Sequence, residues 1–404
     1  MLVCFNLPPS ERYKLENLFL AGIIPGPKEP PAGQHDSYFL PIVEFFLQLW
    51  WLGVWFTKTY AYPLGRLIRA ALIAIICDLP AARKISGFSS FSHRRYCTRC
   101  WWVYQGYENF DEKSWKRRTK DDTRLWAERY ARAKTGSAAE RLFNKSGQRW
   151  TPLLLLPYFD LSTMIVVDVM HNLFLGLLKT HFRRILGFRI QKTAESKPDI
   201  SINIREKRAS ASAEPAFKVF DAGLAVTRQE MERLWDDLRN TIKPSWLASV
   251  PPTVGGGNGD GKLKADQWRN LGLIYMPLTL IQMWSEPHQP PERRRLLELT
   301  MHLVSAVIVA TSYEASVANA EAYLRHMKAY RALLQDMFPE YKCLPNHHMA
   351  MHISEYLLMF GPVQNWWTFP FERAIGTLER ISTNYKAGEC GTNLSLRSSV
   401  NMVA

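Results

Sequence analysis

The chain of 404 residues lacks the features that would place it in several well-known protein classes. Its six cysteines are too few and too irregularly spaced for a disulfide scaffold, so a reducing compartment fits best. The opening residues, MLVCFNLPPS, have no basic segment ahead of an apolar one, which argues against a secretory signal. The sequence contains neither a G-x-S-x-G nucleophile elbow nor a phosphate-binding loop ending in Gly-Lys-Ser or Gly-Lys-Thr. These absences disfavour secreted proteins, serine hydrolases and P-loop nucleotide-binding proteins.

The chain also lacks an uninterrupted apolar run of membrane length. Residues 38 to 57 come nearest, but Pro41, Glu44 and Gln48 break the run. We interpret it as a buried amphipathic helix and expect no membrane association. A membrane-associated protein anchored by this segment is a third, weaker alternative.

Acidic residues are scarce relative to basic ones, and the formal net charge is +14. Residues 83 to 149 hold 17 Lys and Arg against 7 Asp and Glu, so one segment carries most of the excess. A concentrated positive field attracts polyanions and releases their counterions on binding, which favours nucleic acid as a partner. The alternative is a solvated basic face without a ligand.

A hydrophobic content of 47% predicts a folded protein in two parts. The order of its first apolar runs indicates that the chain opens with an α/β layer. The apolar runs at residues 1 to 7 and 18 to 24 are short and end at prolines, as strands do. Residues 37 to 57 have helix length, and residues 71 to 77, ALIAIIC, have the composition of a fully buried strand. A helix should follow toward Gly87, since Pro80 suits a first helical turn.

The rest of the chain is predicted to be mainly helical, with two linkers. The predicted linkers are a Ser, Ala, Lys and Glu-rich segment at 193 to 216 and the glycine-rich segment PPTVGGGNGDGK at 251 to 262. Long helical segments are expected at 109 to 149, 161 to 190, 227 to 242, 264 to 285 and 291 to 340. The centre of the chain should therefore be an all-helical body.

Asp78 is the first candidate for chemistry, because it directly follows the predicted buried strand at 71 to 77. An acid at the C-terminal tip of such a strand points into a cleft, where it can hold a divalent metal. The alternative is that Asp78 caps the helix that follows.

Cys97 and Cys100, in FSHRRYCTRCWW, have the C-x-x-C spacing of a zinc knuckle. Alone they are half a site, because structural zinc takes four ligands and no second C-x-x-C occurs. The alternative is a pair of reduced, buried cysteines.

His348 and His352 lie one helical turn apart, a spacing that can chelate a metal. Met349 stands where a His-Glu-x-x-His metalloprotease needs glutamate, which argues against protease chemistry. We favour a packing or DNA-facing role for this pair.

Several strings resemble the catalytic region of CACTA (En/Spm) transposases of the type found in fungal genomes. The most specific are CDLPAARKISGF around Asp78, LLLLPYFDLSTMIVVDVMHNLFLGLLKTHF, and NWWTFPFERAIGTLERI around Glu372. Family-like strings occur in family order at residues 5 to 28, 76 to 100, 151 to 181, 261 to 285 and 346 to 385.

The resemblance implies an α/β fold, a ribonuclease H-like core with a large all-helical insertion. The expected domains are a partial core at 1 to 90, an insertion at 91 to 345 and a C-terminal helical part of the core at 346 to 404. In such enzymes three carboxylates hold two Mg²⁺ or Mn²⁺ ions for phosphodiester transfer. Asp78 matches the second carboxylate and Glu372 the third, although Glu372 could instead form a structural pair with Arg373. The family's first Asp and first strand would lie upstream of Met1, so we expect an N-terminally truncated copy.

The resemblance also suggests ligands and partners. His171 would complete the zinc site of Cys97 and Cys100, with Asp168 as a ligand or as the group that orients His171. DNA would be the partner and a nucleus the location, with a homo-oligomer open and no small-molecule substrate. The expected DNA contacts are Arg83, Lys84, Arg94, Arg95, Arg117, Arg118, Trp101, Trp102 and Trp115.

The predicted function is therefore that of a transposase-like protein whose ancestor cut and joined DNA at transposon ends, now inactive as this fragment. The alternative is a non-catalytic DNA-binding or interaction protein derived from a transposase.

Overall fold

A computed structural model describes residues 1–24, 30–31, 33–103, 109–187, 226–255 and 263–380. It divides the chain into two compact units. Unit 1 comprises Met1–Met170, Tyr313–Ala315 and Glu355–Ala404, and unit 2 comprises His171–Ser312 and Ser316–Ser354. The domain boundary expected at residue 90 falls inside unit 1. The predicted linker at 193 to 216 lies outside the described residues.

Helices dominate the part of the chain that the structure describes. In chain order they are α1 (Pro9–Arg12), α2 (His35–Trp51), α3 (Leu79–Ser86), α4 (Lys120–Ala131), α5 (Gly136–Ser146), α6 (Arg228–Asn240), α7 (Ala265–Asn270), α8 (Met276–Trp284), α9 (Pro291–Ala310), α10 (Val317–Met337), α11 (Pro345–Met351), α12 (Ile353–Phe360) and α13 (Phe369–Glu379). π-helical segments cover Met170–Leu178, His181–Ile185 and Leu271–Tyr275. No described helix combines the length and the apolar character needed to cross a bilayer.

The strands of unit 1 are short and pair two by two. They are β1 (Leu2–Val3), β2 (Leu18–Phe19), β3 (Val54–Phe56), β4 (Arg66–Ile68), β5 (Ile75–Cys77) and β6 (Ile165–Val167). The pairs β1–β2 and β3–β4 are antiparallel, whereas β5–β6 is parallel. The three apolar runs predicted to form strands, at residues 1 to 7, 18 to 24 and 71 to 77, contain β1, β2 and β5 respectively.

Strand β6 corrects the expectation that residues 161 to 190 are helical throughout. Ile165, Val166 and Val167 are β-branched and buried, and they pair in register with strand β5, whose residues are only half-buried although the sequence predicted a fully buried strand. The helical part of this stretch begins only after Asp168. Periodicity could not separate a buried strand from a buried helix here, because nearly every residue is apolar.

The core of unit 1 forms where α2 packs beneath the sheet segments. Val43, Phe46 and Leu49, spaced by three residues on one face of α2, are buried against Leu153 and Leu154. The same cluster includes residues of α3, α4 and β6, so the segment from 91 to 170 shares a core with the first 90 residues. Contacts of this kind are why the expected boundary at 90 does not separate two units.

The ends of helix α3 follow from local sequence signals. Asp78 is its N-cap residue and Pro80 lies in its first turn, as predicted. Gly87 ends the helix at φ +73°, where a Cβ atom would approach the carbonyl oxygen of Arg149 to 2.6 Å. Glycine is therefore required at this end of the helix.

Unit 2 is a helical body built around the long neighbouring helices α9 and α10. The segment predicted as helical from 291 to 340 thus consists of two helices. Its interior includes polar side chains: His181 is fully buried, bonded to Thr300 at 2.9 Å and to the hydroxyl of Tyr330 at 3.3 Å. Phe182 stacks on Trp268 in the same interior.

Candidate functional site

Two acids lie side by side at the C-terminal edge of the β5–β6 pair. Cys77 pairs with Val167, so Asp78 and Asp168 are the next residues at the same end of two parallel strands. Burial raises the pKa of the Cys77 thiol, and the charges of Asp78 and Asp168 raise it further. Both carboxylates therefore lie close enough to the Cys77 thiol to interact with it electrostatically.

Asp78 acts as the cap of α3 in this structure. Its Oδ1 accepts a hydrogen bond from the backbone N–H of Ala81 at 2.7 Å. The capping role that the sequence left open is thus present, and it engages one of the two carboxylate oxygens. Metal binding by Asp78 stays a prediction.

Asp168 is buried and bonds to the residue that precedes helix α13. Its Oδ1 accepts from the backbone N–H of Thr368 at 2.9 Å, and its Oδ2 accepts from the Thr368 hydroxyl at 2.8 Å. The acid proposed from the sequence as a zinc ligand or orienting group therefore anchors the N-terminus of α13.

Glu372 lies in the first turn of α13, where its backbone N–H donates to the carbonyl of Thr368 at 3.0 Å. The side chains of Glu372 and Arg373 are both exposed. Asp168 thus ties the start of the helix that carries Glu372 to the edge of the sheet where Asp78 lies. The ring of Phe371 also packs edge-on against Tyr13, 5.8 Å between centroids.

Cys97 and Cys100 form a close, buried pair within unit 1. Their sulfur atoms lie 3.4 Å apart, and the backbone N–H groups of Arg99 and Cys100 each point to the Cys97 sulfur at 3.4 Å. Burial raises the pKa of the Cys100 thiol, and the neighbouring Cys97 raises it further. Backbone N–H donors thus support one of the two sulfurs, and metal binding by this pair stays a prediction.

Arg83 and Arg118, predicted to hold phosphates, are instead buried near this cysteine pair. Arg83 donates to the carbonyls of Ser89 and Tyr96, and Arg118 donates to those of Cys100 and Ser146. Burial lowers the pKa of each guanidinium to about 10, while the cysteines act in the opposite direction. These guanidinium groups point into the protein, where backbone carbonyls accept hydrogen bonds from some of their nitrogens.

The other predicted DNA contacts have mixed surroundings. Arg94 is exposed and Lys84 half-buried, whereas Arg95 donates to the Trp101 carbonyl at 2.5 Å and Arg117 pairs with Glu355 at 2.9 Å. Among the tryptophans predicted to contact DNA, Trp101 and Trp102 are half-buried and Trp115 is buried.

The tryptophans are mostly engaged in packing. The guanidinium of Arg118 lies 4.0 Å from the Trp101 ring centre, and Trp102 faces Trp115 at 6.0 Å. Core packing thus accounts for much of this aromatic cluster. Stacking on bases stays a prediction for it.

A histidine pair is found within unit 2. The Nε2 atoms of His348 and His352 lie 3.3 Å apart, and both side chains are buried. His171, the imidazole expected beside the cysteines, is half-buried at the start of the π-helical segment Met170–Leu178. Its role as a zinc ligand stays a prediction.

Sequence reasoning missed Thr368 as the partner of Asp168. A threonine just before Phe369-Pro370 is a helix-start signal and could have been found, but its partner lies 200 residues away. The burial of Arg83 and Arg118 had no signal in the sequence, since charge alone does not distinguish a buried arginine from an exposed one.

Comparison with known proteins supports one part of this picture. Residues 1–108 match the family model Transposase_21, described as transposase family tnp2. No curated protein has significant sequence similarity to the chain. The match includes Asp78 and the cysteine pair, whereas Asp168 and Glu372 lie outside it. The first 108 residues thus support a transposase family for this protein.

Proposed function

We propose that this protein is a transposase of the CACTA (En/Spm) type that binds DNA through a ribonuclease H-like core. The observation that supports this most is the parallel β5–β6 pair with Asp78 and Asp168 at one edge. In open α/β sheets, functional groups gather outside the carboxyl ends of parallel strands. The bonds from Thr368 to Asp168 bring the start of the Glu372 helix to that edge.

The carboxylates are chemically suited to a hard divalent cation. Mg²⁺ and Mn²⁺ prefer carboxylate oxygens, and Asp78 and Glu372 would supply them. When bound, such ions activate a water or a 3′-hydroxyl and stabilise the leaving oxygen at phosphorus. Asp168 positions the Glu372 helix, and exposed basic groups such as Arg94 hold the phosphate backbone.

A second part of the proposal is that two side-chain pairs, Cys97 with Cys100 and His348 with His352, supply ligands to structural zinc. These four side chains are candidate metal ligands, two thiols and two imidazoles. Tetrahedral zinc, with bonds of about 2.3 Å to sulfur and 2.0–2.1 Å to nitrogen, separates adjacent sulfurs by roughly 3.8 Å and adjacent nitrogens by roughly 3.3 Å. The observed 3.3 Å between the nitrogens matches that spacing, whereas the sulfurs, 3.4 Å apart, would have to separate by about 0.4 Å to bind zinc in this geometry.

The second candidate function is DNA binding without cleavage. It is favoured by the hydrogen bonds that the acids already make. Oδ1 of Asp78 caps α3, and both oxygens of Asp168 accept from Thr368. A protein that kept its fold and its basic surface but not its metal chemistry would bind transposon-like DNA and leave it uncut.

Metal-dependent nicking of duplex DNA distinguishes the two functions. Asp78→Asn keeps an N-cap oxygen while removing the charge, and Glu372→Gln removes the charge at the second position. Glu379→Gln, at the other end of α13, is the matched control because Glu379 is also exposed. Retained transposase activity, in contrast to the inactive fragment expected from the sequence, would give Mn²⁺-dependent nicking that both site variants abolish and the control retains.

Other outcomes have definite meanings. DNA binding with no nicking by the wild-type protein would favour the non-catalytic function. Nicking that survives Asp78→Asn and Glu372→Gln would remove these acids from the chemistry. Absence of DNA binding would refute both functions.

Native mass spectrometry and metal analysis test the zinc site separately. We expect the wild-type chain to bind zinc and the zinc content to fall in Cys97→Ser and in His348→Ala. Cys4→Ser is the control, because Cys4 is an exposed cysteine outside the pair. Zinc that persists in Cys97→Ser, or a wild-type protein without zinc, would refute this ligand set.

A further inference from the structure

An exposed β-hairpin lies between helix α2 and strand β5. We call residues 53–69 the aromatic hairpin. Its strands pair Val54 with Ile68, Trp55 with Leu67 and Phe56 with Arg66.

The aromatic hairpin has a defined shape up to its tip. The backbones of Thr59 and Tyr62 exchange hydrogen bonds of 3.0 and 3.3 Å, and Gly65 donates to the Tyr62 carbonyl at 3.0 Å. Gly53 and Gly65 have φ angles of +73° and +89°, which allow the tight passages at the ends of the strands. The tip is therefore held by its own bonds while it projects large side chains into solvent.

Apolar and aromatic side chains cover this hairpin to an unusual degree. Tyr60 is fully exposed, Leu64 is 92% exposed and Trp55 is 58% exposed. Further exposed members are Phe56, Tyr62 and Leu67. Contiguous exposed apolar surface of this kind marks an interaction site.

The charge of this region has one sign. Lys58, Arg66 and Arg69 are exposed, and no acidic residue occurs between Glu44 and Asp78. The guanidinium of Arg66 stacks over the ring of Tyr62, 4.2 Å from its centre. Aromatic rings interleaved with cations complement a polyanion that carries flat apolar bases.

We propose that the aromatic hairpin stacks on unpaired DNA bases while its cations contact the adjoining phosphates. Every base offers a π-face, so rings such as Trp55 and Tyr60 bind unpaired bases without sequence preference. The hairpin lies within the segment that matches a transposase family. The inference rests on the proposed DNA-binding function and adds a preference for unpaired DNA.

The test compares two DNA probes of equal length, a blunt duplex and a duplex with a single-stranded overhang. Affinities are measured by fluorescence anisotropy, with 2-aminopurine in the overhang to report stacking. Trp55→Ala and Tyr60→Ala should each weaken overhang binding at least about fivefold and leave blunt-duplex binding nearly unchanged. Loss of 2-aminopurine quenching should accompany the weaker binding.

One control variant and one further hairpin variant sharpen the test. Trp246→Ala removes an exposed tryptophan of unit 2 and should leave both affinities unchanged. Arg69→Gln removes one hairpin cation and should reduce the salt dependence of binding by about one phosphate contact. Circular dichroism and thermal melting confirm that each variant folds, as expected for exposed positions.

The outcomes separate this inference from the proposed function. Wild-type binding to both probes that the hairpin variants do not change would overturn the inference and leave DNA binding intact. Failure of the wild-type protein to bind any DNA would overturn both. Trp55→Ala could instead abolish binding to anionic lipid vesicles, or self-association, without changing DNA affinity. That result would also overturn the inference, because the hairpin would then bind a membrane or a second copy of the chain.

Discussion

Removing the carboxylate of Asp168 should loosen the N-terminus of helix α13. Asp168 is buried and accepts two hydrogen bonds from Thr368, at 2.9 Å from the backbone N–H and 2.8 Å from the hydroxyl. This pair joins the end of strand β6 to the helix that carries Glu372. The start of α13 therefore depends on a residue 200 positions earlier in the chain.

The magnitude follows from the number and type of bonds. A hydrogen bond to a charged group contributes about 1.5–3 kcal/mol, and a buried donor left unpaired adds a penalty. We expect Asp168→Ala to destabilise this region by about 3–5 kcal/mol. Asp168→Asn keeps one acceptor and should cost about 1–2 kcal/mol, while Thr368→Val removes only the hydroxyl bond and should cost about 1.5–3 kcal/mol.

Native-state hydrogen exchange is the suitable assay, because a chain with two compact units need not unfold in one step. Amides of α13 that exchange through local opening should exchange roughly 150-fold faster for a loss of 3 kcal/mol. Amides of α9 in unit 2 should be unaffected and serve as an internal reference.

A conservative substitution isolates the hydroxyl bond. Thr368→Ser keeps both donors and should stay close to wild type, within about 0.5 kcal/mol. Protection of α13 that is unchanged in Asp168→Ala would refute the anchoring role. Loss of protection in Thr368→Ser but not in Thr368→Val would show that methyl packing, not the hydroxyl, is the cause.

Two further predictions concern other parts of the molecule. Burial lowers the pKa of His181 and of His347 to about 3, below the ordinary 6.5. Unit 2 should therefore keep its full stability above pH 6.5 and lose roughly 2 kcal/mol per histidine by pH 5, because the unfolded chain takes up protons that the folded chain does not. Urea unfolding with the same midpoint at pH 7.5 and pH 5 would contradict this. Gly65→Ala should destabilise the aromatic hairpin by about 1–3 kcal/mol, because φ is +89° and the new Cβ would lie 2.6 Å from the Phe56 carbonyl oxygen. Gly136→Ala is the control, because its Cβ would meet no atom within 4 Å. Hydrogen exchange should show faster exchange in the hairpin for the first variant and no change for the second.

The short-range features of the site were predictable from the sequence. Asp78 was expected at the end of a buried strand and, alternatively, as a helix cap; it follows strand β5, which is half-buried, and it caps α3. The close approach of Cys97 to Cys100 and of His348 to His352 follows from spacings of three and four residues. These predictions succeeded because the interacting groups are neighbours along the chain.

Other features could not be predicted from local patterns. Strand β6 was hidden in an apolar stretch, because burial on both faces removes the alternation that identifies a strand. The buried positions of Arg83 and Arg118 depend on carbonyls supplied by folded loops. The predicted boundary at residue 90 did not take account of a core shared with the segment from 91 to 170.

The sequence by itself determined the basic charge, the acid after β5, and the cysteine and histidine spacings, because each depends on residue type and on neighbours within one turn. Only the tertiary structure decided that Asp168 lies beside Asp78 and bonds Thr368. Strand register and side-chain burial arise when distant segments pack together and exclude water. These long-range contacts determine which carboxylates lie at the same edge of the β5–β6 pair.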